Sequence, residues 1–327
     1  MTNLVIHVGF PKTATTTFQK NIIPSCNNLV NINPDIDCYE LTRGILLSRE
    51  LTFKREISSI IKPIKDLINQ HDSNTKFILS SESFLSYSLF FVRSPEPFVH
   101  SPDPSSIARK LKIFCQQNLF DNVQILIGIR RQDELLKSLY AQIYNRVFKN
   151  YRKTETFQKY LSNFLFNSEF NYLADALFYD EIIKEYQNNF GYKNVSILVY
   201  EELKNGHPNY ISKLSSLFEI DEFKLKQLFS LNNDNKKSFE NYYSTDSISI
   251  YNFLNRIRIL ALGDSSFRKF NKFKNMASKL NKLKFQQAPI DLKLDFESSK
   301  KIKKMFSKTN KNLDERMSLN LKAYDYY

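Results

Sequence analysis

A lysine and four threonines follow the first apolar run of the chain. Residues 11–17 read Pro-Lys-Thr-Ala-Thr-Thr-Thr and come after the apolar run 4–8 and a Gly-Phe turn. The run predicts a buried strand, and the spacing of Phe18 and Ile22 predicts a helix behind the threonines. The first turn of a helix presents free backbone N–H groups and the positive end of its dipole. The segment therefore predicts an anion cradle, to which Lys12 adds a full charge and the threonines add hydroxyl donors.

The position of the lysine narrows the choice of anion. In the nucleotide loop Gly-x4-Gly-Lys-Ser/Thr, the lysine follows the second glycine at the start of the helix. Here Lys12 lies three residues after Gly9, and no Gly-Lys-Thr sequence follows. The pattern therefore fits an ATP or GTP loop poorly and favours a phosphate or phosphosulfate group.

A second cation stands at the end of another apolar run. Arg130 follows residues 123–129, which predict a buried strand. An arginine at that place can bind a phosphate through two N–H groups at once. Ser138 lies eight residues after Arg130, two turns into a predicted helix, where its hydroxyl faces the same side. Arg131 is interpreted as a neighbouring or surface charge.

These segments resemble the nucleotide site of PAPS-dependent sulfotransferases, in particular bacterial enzymes of the carbohydrate-sulfotransferase type. The loop is similar to their 5′-phosphosulfate loop, Pro-Lys-Ser/Thr-Gly-Thr-Thr, and the strand-Arg-x7-Ser arrangement is similar to their 3′-phosphate site. Tyr200, in a strand-Tyr-Glu-Glu-Leu sequence, resembles an adenine or ribose contact, although a tyrosine that caps a strand in the core is an equal alternative. The resemblance covers about residues 4–220. It implies PAPS as co-substrate and PAP as product, bound by Pro11, Lys12, Thr13, Ala14, Thr15, Thr16, Thr17, Arg130, Ser138 and Tyr200.

One residue departs from the family pattern. Ala14 stands where the family usually has glycine. Alanine fits a helical backbone at that place, but it would be strained at a positive φ. We expect the site to survive the change.

Sulfuryl transfer requires a base for the acceptor and a cation for the leaving phosphate. Lys12 suits the second role, and Thr15 and Thr16 can hold the same oxygens. Glu82 follows a predicted strand, and carbohydrate sulfotransferases that resemble this chain place a glutamate base after such a strand. An ordinary acid in the first turn of a helix is the alternative interpretation of Glu82. His100, in a proline-rich segment that predicts a loop, is the rival base.

The alternation of strands and helices predicts a parallel sheet with right-handed crossovers. The predicted fold is α/β: a P-loop-like three-layer αβα core over residues 1–235, with a helical, basic C-terminal extension over 236–327 packed on the same domain. Loops around 30–50, 85–104 and 145–180 are expected to shape the acceptor pocket. The polar run Asn232–Lys237 reads as a loop that could close over the nucleotide. Predicted strands are 4–8, 76–80, 123–129 and 194–199, and predicted helices are 15–24, about 52–70, about 105–118, 133–149, several between 155 and 188, and 207–218.

The predicted strands also bring the candidate residues together. Lys12, Glu82, Arg130 and Tyr200 each fall just after a predicted strand. Ligands of parallel sheets bind at the C-terminal ends of the strands. We therefore expect all four residues at one edge of the sheet, around a single site.

The charge of the chain is concentrated towards its C-terminal part. The formal net charge is +13, and residues 256–311 carry sixteen Lys and Arg against four Asp and Glu. Apolar residues at helical spacing among these charges predict amphipathic helices. A solvated helical face, a surface for an anionic glycan and an anionic membrane face are the competing interpretations. Nucleic acid is disfavoured because no binding motif accompanies the charge.

Composition also bears on location and metals. The sequence has no apolar run long enough to cross a membrane and no signal-peptide pattern before the first strand. Its three cysteines lack metal-ligand spacing. We therefore predict a cytoplasmic enzyme without a metal, peripheral at the inner membrane face if the basic helices dock there.

The sequence thus predicts a PAPS-dependent sulfotransferase that acts on a hydroxyl of a glycan or glycolipid. Two alternatives stay open. A kinase of the same general fold would need a Walker lysine and a magnesium-holding acid at positions where neither is found. A non-catalytic nucleotide-fold protein would dock on an anionic polymer or membrane, and Ala14 in place of glycine keeps that alternative open.

Overall fold

The central sheet is parallel, as the alternation of elements predicts. The computed structural model describes residues 2–10, 12–26, 28–32, 36–72, 74–85, 103–143, 157–166, 176–230 and 292–327. Pro11, His100 and the run 232–237 lie outside them. Within these residues five strands lie in the order β2-β3-β1-β4-β5, and every neighbouring pair is parallel. The strands are β1 Asn3–Gly9, β2 Leu29–Asn31, β3 Lys76–Ser81, β4 Asn122–Ile129 and β5 Val195–Val199.

Helices cover both faces of the sheet. The first, α1, is a single α-helical turn, Thr15–Thr17, that continues as a π-helix over Phe18–Ile22 and a 3-10 turn over Ile23–Ser25. The remaining helices are α2 Ile36–Leu47, α3 Glu50–Ile60, α4 Lys62–Asn69, α5 Pro104–Cys115, α6 Gln132–Ile143, α7 Phe157–Phe166, α8 Tyr179–Phe190, α9 Tyr200–Lys204, α10 Pro208–Phe218, α11 Glu222–Ser230 and α12 Phe296–Met317, with short 3-10 turns at Tyr192–Asn194 and Leu321–Tyr324.

Alternate residues of β1 supply two separate cores, because successive side chains of a strand point to opposite faces. Leu4, Ile6 and Val8 pack in one cluster with buried residues of α2, α3, α5, α6, α8 and α12. Val5 packs in the other, with buried residues of the helical segment 15–25, α10 and α11. The result is three layers: helices, sheet and helices.

The long helix α12 belongs to the first of these cores. Ile302, Phe306 and Leu313 are buried in the same cluster as β1. They recur at helical spacing, so they form one apolar stripe along the helix. The opposite face of α12 is exposed and rich in lysine: Lys300, Lys301, Lys304, Lys308 and Lys311.

Two sequence predictions about the first ninety residues are wrong in part. The helix expected over about 52–70 is two helices, α3 and α4, which meet at Ile61. Pro63 is the second residue of α4; it has no backbone N–H, and its ring would clash with the carbonyl four residues earlier. The loop expected around 30–50 contains β2 and α2. The strand β2 has three residues, too few for a periodic pattern, and a glycine interrupts the pattern of α2.

The register of the strands sets the edge at which a ligand could bind. Gly9 at the end of β1 pairs with Gly128 of β4. In turn, Val8 pairs with Ser81 of β3, and β4 pairs with the end of β5. The residues that follow β1, β3, β4 and β5 therefore come together at the C-terminal edge of the sheet.

Candidate functional site

The turn after β1 contains two left-handed residues. The φ angles of Lys12 and Ala14 are 67° and 66°, values that non-glycine residues adopt infrequently. Ala14 immediately precedes α1, and its carbonyl accepts the N–H of Phe18 at 3.1 Å. Ala14 thus stands at a strained, left-handed backbone position and not at a helical one. Backbone strain of this kind clusters at ligand-binding sites, where the surrounding structure holds it in place.

Two glycines let this turn approach the sheet closely. A Cβ added to Gly9 would lie 2.7 Å from Cγ2 of Thr15, and one added to Gly128 would lie 2.9 Å from Oγ1 of Thr13. These distances are too short for real atoms, so the loop rests on two positions that must lack a side chain. The Thr13 hydroxyl donates to the carbonyl of Phe10 at 2.6 Å and is used within the turn itself.

The other threonines of the loop differ in accessibility. Thr15 is buried, and its hydroxyl donates to the carboxylate of Glu82. Thr17 is buried as well, whereas Thr16 is exposed. Thr16 is therefore the loop hydroxyl that a ligand can reach most easily.

Glu82 is half-buried beside this loop at the end of β3. Burial raises the pKa of Glu82 above its ordinary value, and the nearby charge of Lys12 offsets part of that rise. The carboxyl group thus faces both the cation and a hydroxyl of the predicted cradle. A carboxylate whose pKa is raised is a stronger base than an exposed one.

Arg130 reaches the loop from the end of β4. Its Nη1 donates to the carbonyl of Lys12 at 3.1 Å, and its guanidinium carbon lies 4.7 Å from the centre of the Tyr200 ring. The residue is 9% exposed. Its Nε is buried and has no acceptor among the residues that the structure describes. The guanidinium of Arg130 thus contacts both the backbone of Lys12 and the ring of Tyr200, and its Nε is a buried donor without an acceptor among the described residues.

Ser138 is not brought to Arg130 in the same way. No hydrogen bond joins Ser138 to another described residue. Instead Glu134, one helical turn nearer the start of α6, lies 3.6 Å from Nη2 of Arg130. Sequence reasoning missed Glu134, because Arg130 lies before the start of α6 and the two residues are not neighbours on one helix.

A polar chain beneath the loop fixes the first helical segment to the sheet. His7 is buried in β1, and its Nδ1 lies 2.8 Å from the hydroxyl of Ser80 in β3. The amide of Gln19 donates to the same hydroxyl at 3.0 Å. Burial lowers the pKa of His7 to about 4, so the ring is neutral near pH 7. His7 is thus a neutral histidine buried in the core.

Arg131 is more than a surface charge. Its Nε donates to Asp133 at 2.7 Å, and its backbone N–H donates to Glu201 at 3.1 Å. Asp133 also accepts the hydroxyl of Ser299 at the start of α12 at 2.8 Å. The residues beside Arg130 are therefore held by groups from α9 and α12.

Other chemistry is not found in the described part of the chain. No group of three or more His, Cys, Asp or Glu side chains in those residues could hold a metal ion. None of the helices described there is long and apolar enough to cross a membrane. A groove of about 850 Å³ beside α2, α3 and α4 shares no residue with the loop site.

Comparisons with known proteins give distant likenesses. No protein-family model and no curated protein matches this chain. A sulfotransferase from Alicyclobacillus acidocaldarius is similar in structure, with 15% identity and a TM-score of 0.42, over 68% of this chain and 82% of that one. Mouse sulfotransferase SULT7A1 in complex with PAP is similar with 14% identity and a TM-score of 0.36, over 84% of this chain and 89% of that one. Likenesses this distant carry no argument here, so the fold class rests on the parallel sheet itself.

Proposed function

We propose that this protein is a sulfotransferase that uses PAPS and transfers its sulfuryl group to an acceptor hydroxyl. The observation that carries the proposal is the contact between the Arg130 guanidinium and the backbone carbonyl of Lys12 at one edge of a parallel sheet, with the buried Nε of Arg130 lacking an acceptor among the described residues. Two cations from separate strand ends suit a ligand with two phosphate groups. PAP and PAPS, with phosphates at the 3′ and 5′ positions, are ligands of that kind.

Each residue at the edge of the sheet has a separate proposed role. The left-handed turn at Lys12 and Ala14, followed by the free N–H groups of α1, favours a negatively charged group. Lys12 stabilises the charge that develops on the leaving 5′-phosphate. Arg130 binds the 3′-phosphate through its planar fork, and Tyr200 offers a ring to the adenosine. The sequence also predicts contacts from Pro11, Thr13, Thr16, Thr17 and Ser138, of which Thr16 has an exposed side chain.

Glu82 is the proposed base. It removes the proton of the acceptor hydroxyl while the acceptor oxygen bonds to sulfur and the bond from sulfur to the phosphate oxygen breaks in line. Its position beside Lys12 and Thr15 and its raised pKa support that role. His100 remains the alternative base.

The proposed acceptor is a hydroxyl of a glycan or glycolipid, and the proposed location is the cytoplasm. The exposed lysines of α12 support an anionic glycan as the partner of that face. A helix that inserts into a membrane needs a free apolar face, whereas the apolar face of α12 is buried in the core. An anionic membrane surface could still attract the lysines by charge alone. Vesicle binding measured against ionic strength would separate this attraction from insertion of the helix.

A thermal-shift comparison tests the nucleotide. PAP is expected to raise the melting temperature by several degrees, and ATP with magnesium by much less, because ATP lacks a 3′-phosphate for Arg130. Equal or greater stabilisation by ATP would favour the kinase alternative.

The variant Glu82→Gln tests the base. We expect it to abolish sulfate transfer to candidate glycans, measured by mass spectrometry, with PAP binding retained. Asp66→Asn, an acid of α4 outside the site, is the control. Turnover of Glu82→Gln close to that of the unaltered protein would exclude Glu82 and direct the test to His100.

A second candidate is a non-catalytic nucleotide-fold protein that docks on an anionic polymer or membrane. The strained alanine at position 14, together with the lysine face of α12, favours this candidate. PAP binding that is absent in the natural chain but appears in Ala14→Gly would support it over the enzyme.

A further inference from the structure

Residues 318–327, here named the C-terminal turn segment, fold back from α12 towards the proposed site. Ser318, Asn320 and Asp325 have φ angles of 52°, 59° and 62°, so three left-handed residues reverse the chain within a short distance. Tyr326 is fully buried, and its hydroxyl donates to Oε2 of Glu201 at 2.7 Å. The segment thus packs against the residue that follows Tyr200.

Glu201 joins the ends of two strands. Its Oε1 accepts the backbone N–H of Arg131 at 3.1 Å, while its Oε2 accepts the Tyr326 hydroxyl. Because Arg131 follows Arg130 and Glu201 follows Tyr200, one carboxylate connects the residues beside both proposed nucleotide contacts. Burial and the charge of Glu201 raise the pKa of Tyr326 well above its ordinary value, so the phenol keeps the proton that it donates.

Further contacts tie the same segment to the start of α6. The buried side chains of Gln132 and Asn310 form two reciprocal amide hydrogen bonds, at 2.9 and 3.1 Å. Asn310 also donates to the carbonyl of Tyr326 at 3.0 Å. The carboxylate of Asp325 lies 3.4 Å from Nη1 of Arg131. Tyr326 is therefore held at its backbone and at its hydroxyl, and its fixed hydroxyl orients the carboxylate of Glu201.

We infer that Glu201 and Tyr326 are positioning residues of the proposed nucleotide site, which fix Arg130 and Tyr200 relative to each other through their chain neighbours. The inference rests on the proposed function. The guanidinium of Arg130 and the ring of Tyr200 lie 4.7 Å apart, and each belongs to the end of a different strand. A small shift between those ends would separate the phosphate contact from the adenosine contact.

The adjacent tyrosine provides a matched control. The Tyr327 hydroxyl donates to a carboxylate oxygen of Asp314 at 2.9 Å, so Tyr326→Phe and Tyr327→Phe each remove one phenol–carboxylate hydrogen bond. We expect Tyr326→Phe to raise the dissociation constant for PAP about fivefold in calorimetry, as partial loss of a charge-assisted hydrogen bond would. Tyr327→Phe is expected to leave it within about twofold. Urea unfolding of both variants separates this effect from general destabilisation.

Two further measurements distinguish positioning from stability. Glu201→Gln keeps an oxygen that can accept the Arg131 N–H, so it should restore most of the PAP affinity that Glu201→Ala loses. Hydrogen exchange of the peptide containing Arg131 should be faster in Tyr326→Phe than in Tyr327→Phe, with or without PAP.

The outcomes separate this inference from the proposed function. Equal PAP constants for the two tyrosine variants, with normal binding by the natural chain, would overturn the positioning role alone. Failure of the natural chain to bind PAP would overturn the proposed function and with it the role assigned to Glu201 and Tyr326. If the natural chain does not bind PAP but exchange at Arg131 is still faster in Tyr326→Phe, the contact between Tyr326 and Glu201 is purely structural.

Discussion

Replacement of Ala14 by glycine should stabilise this protein, although alanine-to-glycine changes usually destabilise. Ala14 has φ 66° at the residue before α1. In that conformation the Cβ of an L-residue crowds its own backbone, whereas glycine has no Cβ to crowd. Glycine is also preferred over alanine at the residue that precedes a helix.

The magnitude follows from two opposing contributions. A left-handed conformation costs a non-glycine residue about 1–2 kcal/mol. Glycine increases the freedom of the unfolded chain, which subtracts about 0.4–1 kcal/mol from the gain. We therefore expect Ala14→Gly to raise the free energy of unfolding by about 0.8 kcal/mol. The affinity for PAP should be unchanged or slightly higher, because the loop keeps its backbone conformation.

Urea unfolding of three proteins checks this expectation. The natural chain is compared with Ala14→Gly and with Ala108→Gly, a buried alanine of α5. The helical variant should lose about 1 kcal/mol from glycine propensity alone, and more from the methyl group removed. The unfolding midpoint of Ala14→Gly should move in the opposite direction at an unchanged slope. A loss of stability in Ala14→Gly comparable to that in the helical control would refute the strain at this turn.

Three more predictions concern the same edge of the sheet. Arg130→Lys keeps the charge but loses the planar guanidinium, so the affinity for PAP should fall about tenfold or more. The control is Arg109→Lys, which changes a cation paired with Glu50 outside the site. Equal PAP affinities of the two variants in calorimetry would contradict the role of Arg130. Gly128→Ala should push Thr13 away and lower both stability and PAP binding, measured by melting curves with and without PAP. An unchanged melting temperature, or an unchanged shift with PAP, would contradict the close approach of Thr13 to Gly128. The pKa of His7 is about 4 in the folded protein and 6.5 when the group is free. Its contribution to the free energy of unfolding is therefore fully present above pH 6.5 and is lost as pH falls towards 4, by about 3 kcal/mol in total. Urea unfolding across that range should show this dependence in the natural chain and a smaller one in His7→Gln, and identical slopes would contradict it.

Much of the architecture could be predicted because buried parallel strands leave a strong signal. Each of the runs before Lys12, Glu82, Arg130 and Tyr200 is mostly apolar, and the C-terminal ends of parallel strands lie at the same edge of a sheet. The structure places all four residues at that edge, and the guanidinium of Arg130 donates to the backbone carbonyl of Lys12. No pattern in the sequence predicted the order of the strands, in which β1 is central.

The finer features of the site depend on contacts that no local pattern reports. The positive φ of Ala14 is imposed by the turn and not by the residue type, since alanine itself prefers other conformations. The approach of Tyr326 to Glu201 joins residues separated by 125 positions. Periodicity over one helix or strand carries no information about such pairs. Glu134 lies beside Arg130 although Arg130 precedes the start of α6, so helical spacing did not predict that pair either.

The buried amide pair of Gln132 and Asn310 has a consequence for how the molecule is assembled. Its partners are 178 positions apart, and the neighbouring contact between Arg131 and Asp325 spans 194. Such distant closures form slowly, because chain entropy is lost before the contact rewards it. A polypeptide that stopped at residue 235 would lack Asn310 and would leave the Gln132 amide without its partner on that side. We therefore expect residues 1–235, expressed alone, to give a low yield of folded protein, and co-expression with residues 292–327 to restore the contact between Gln132 and Asn310.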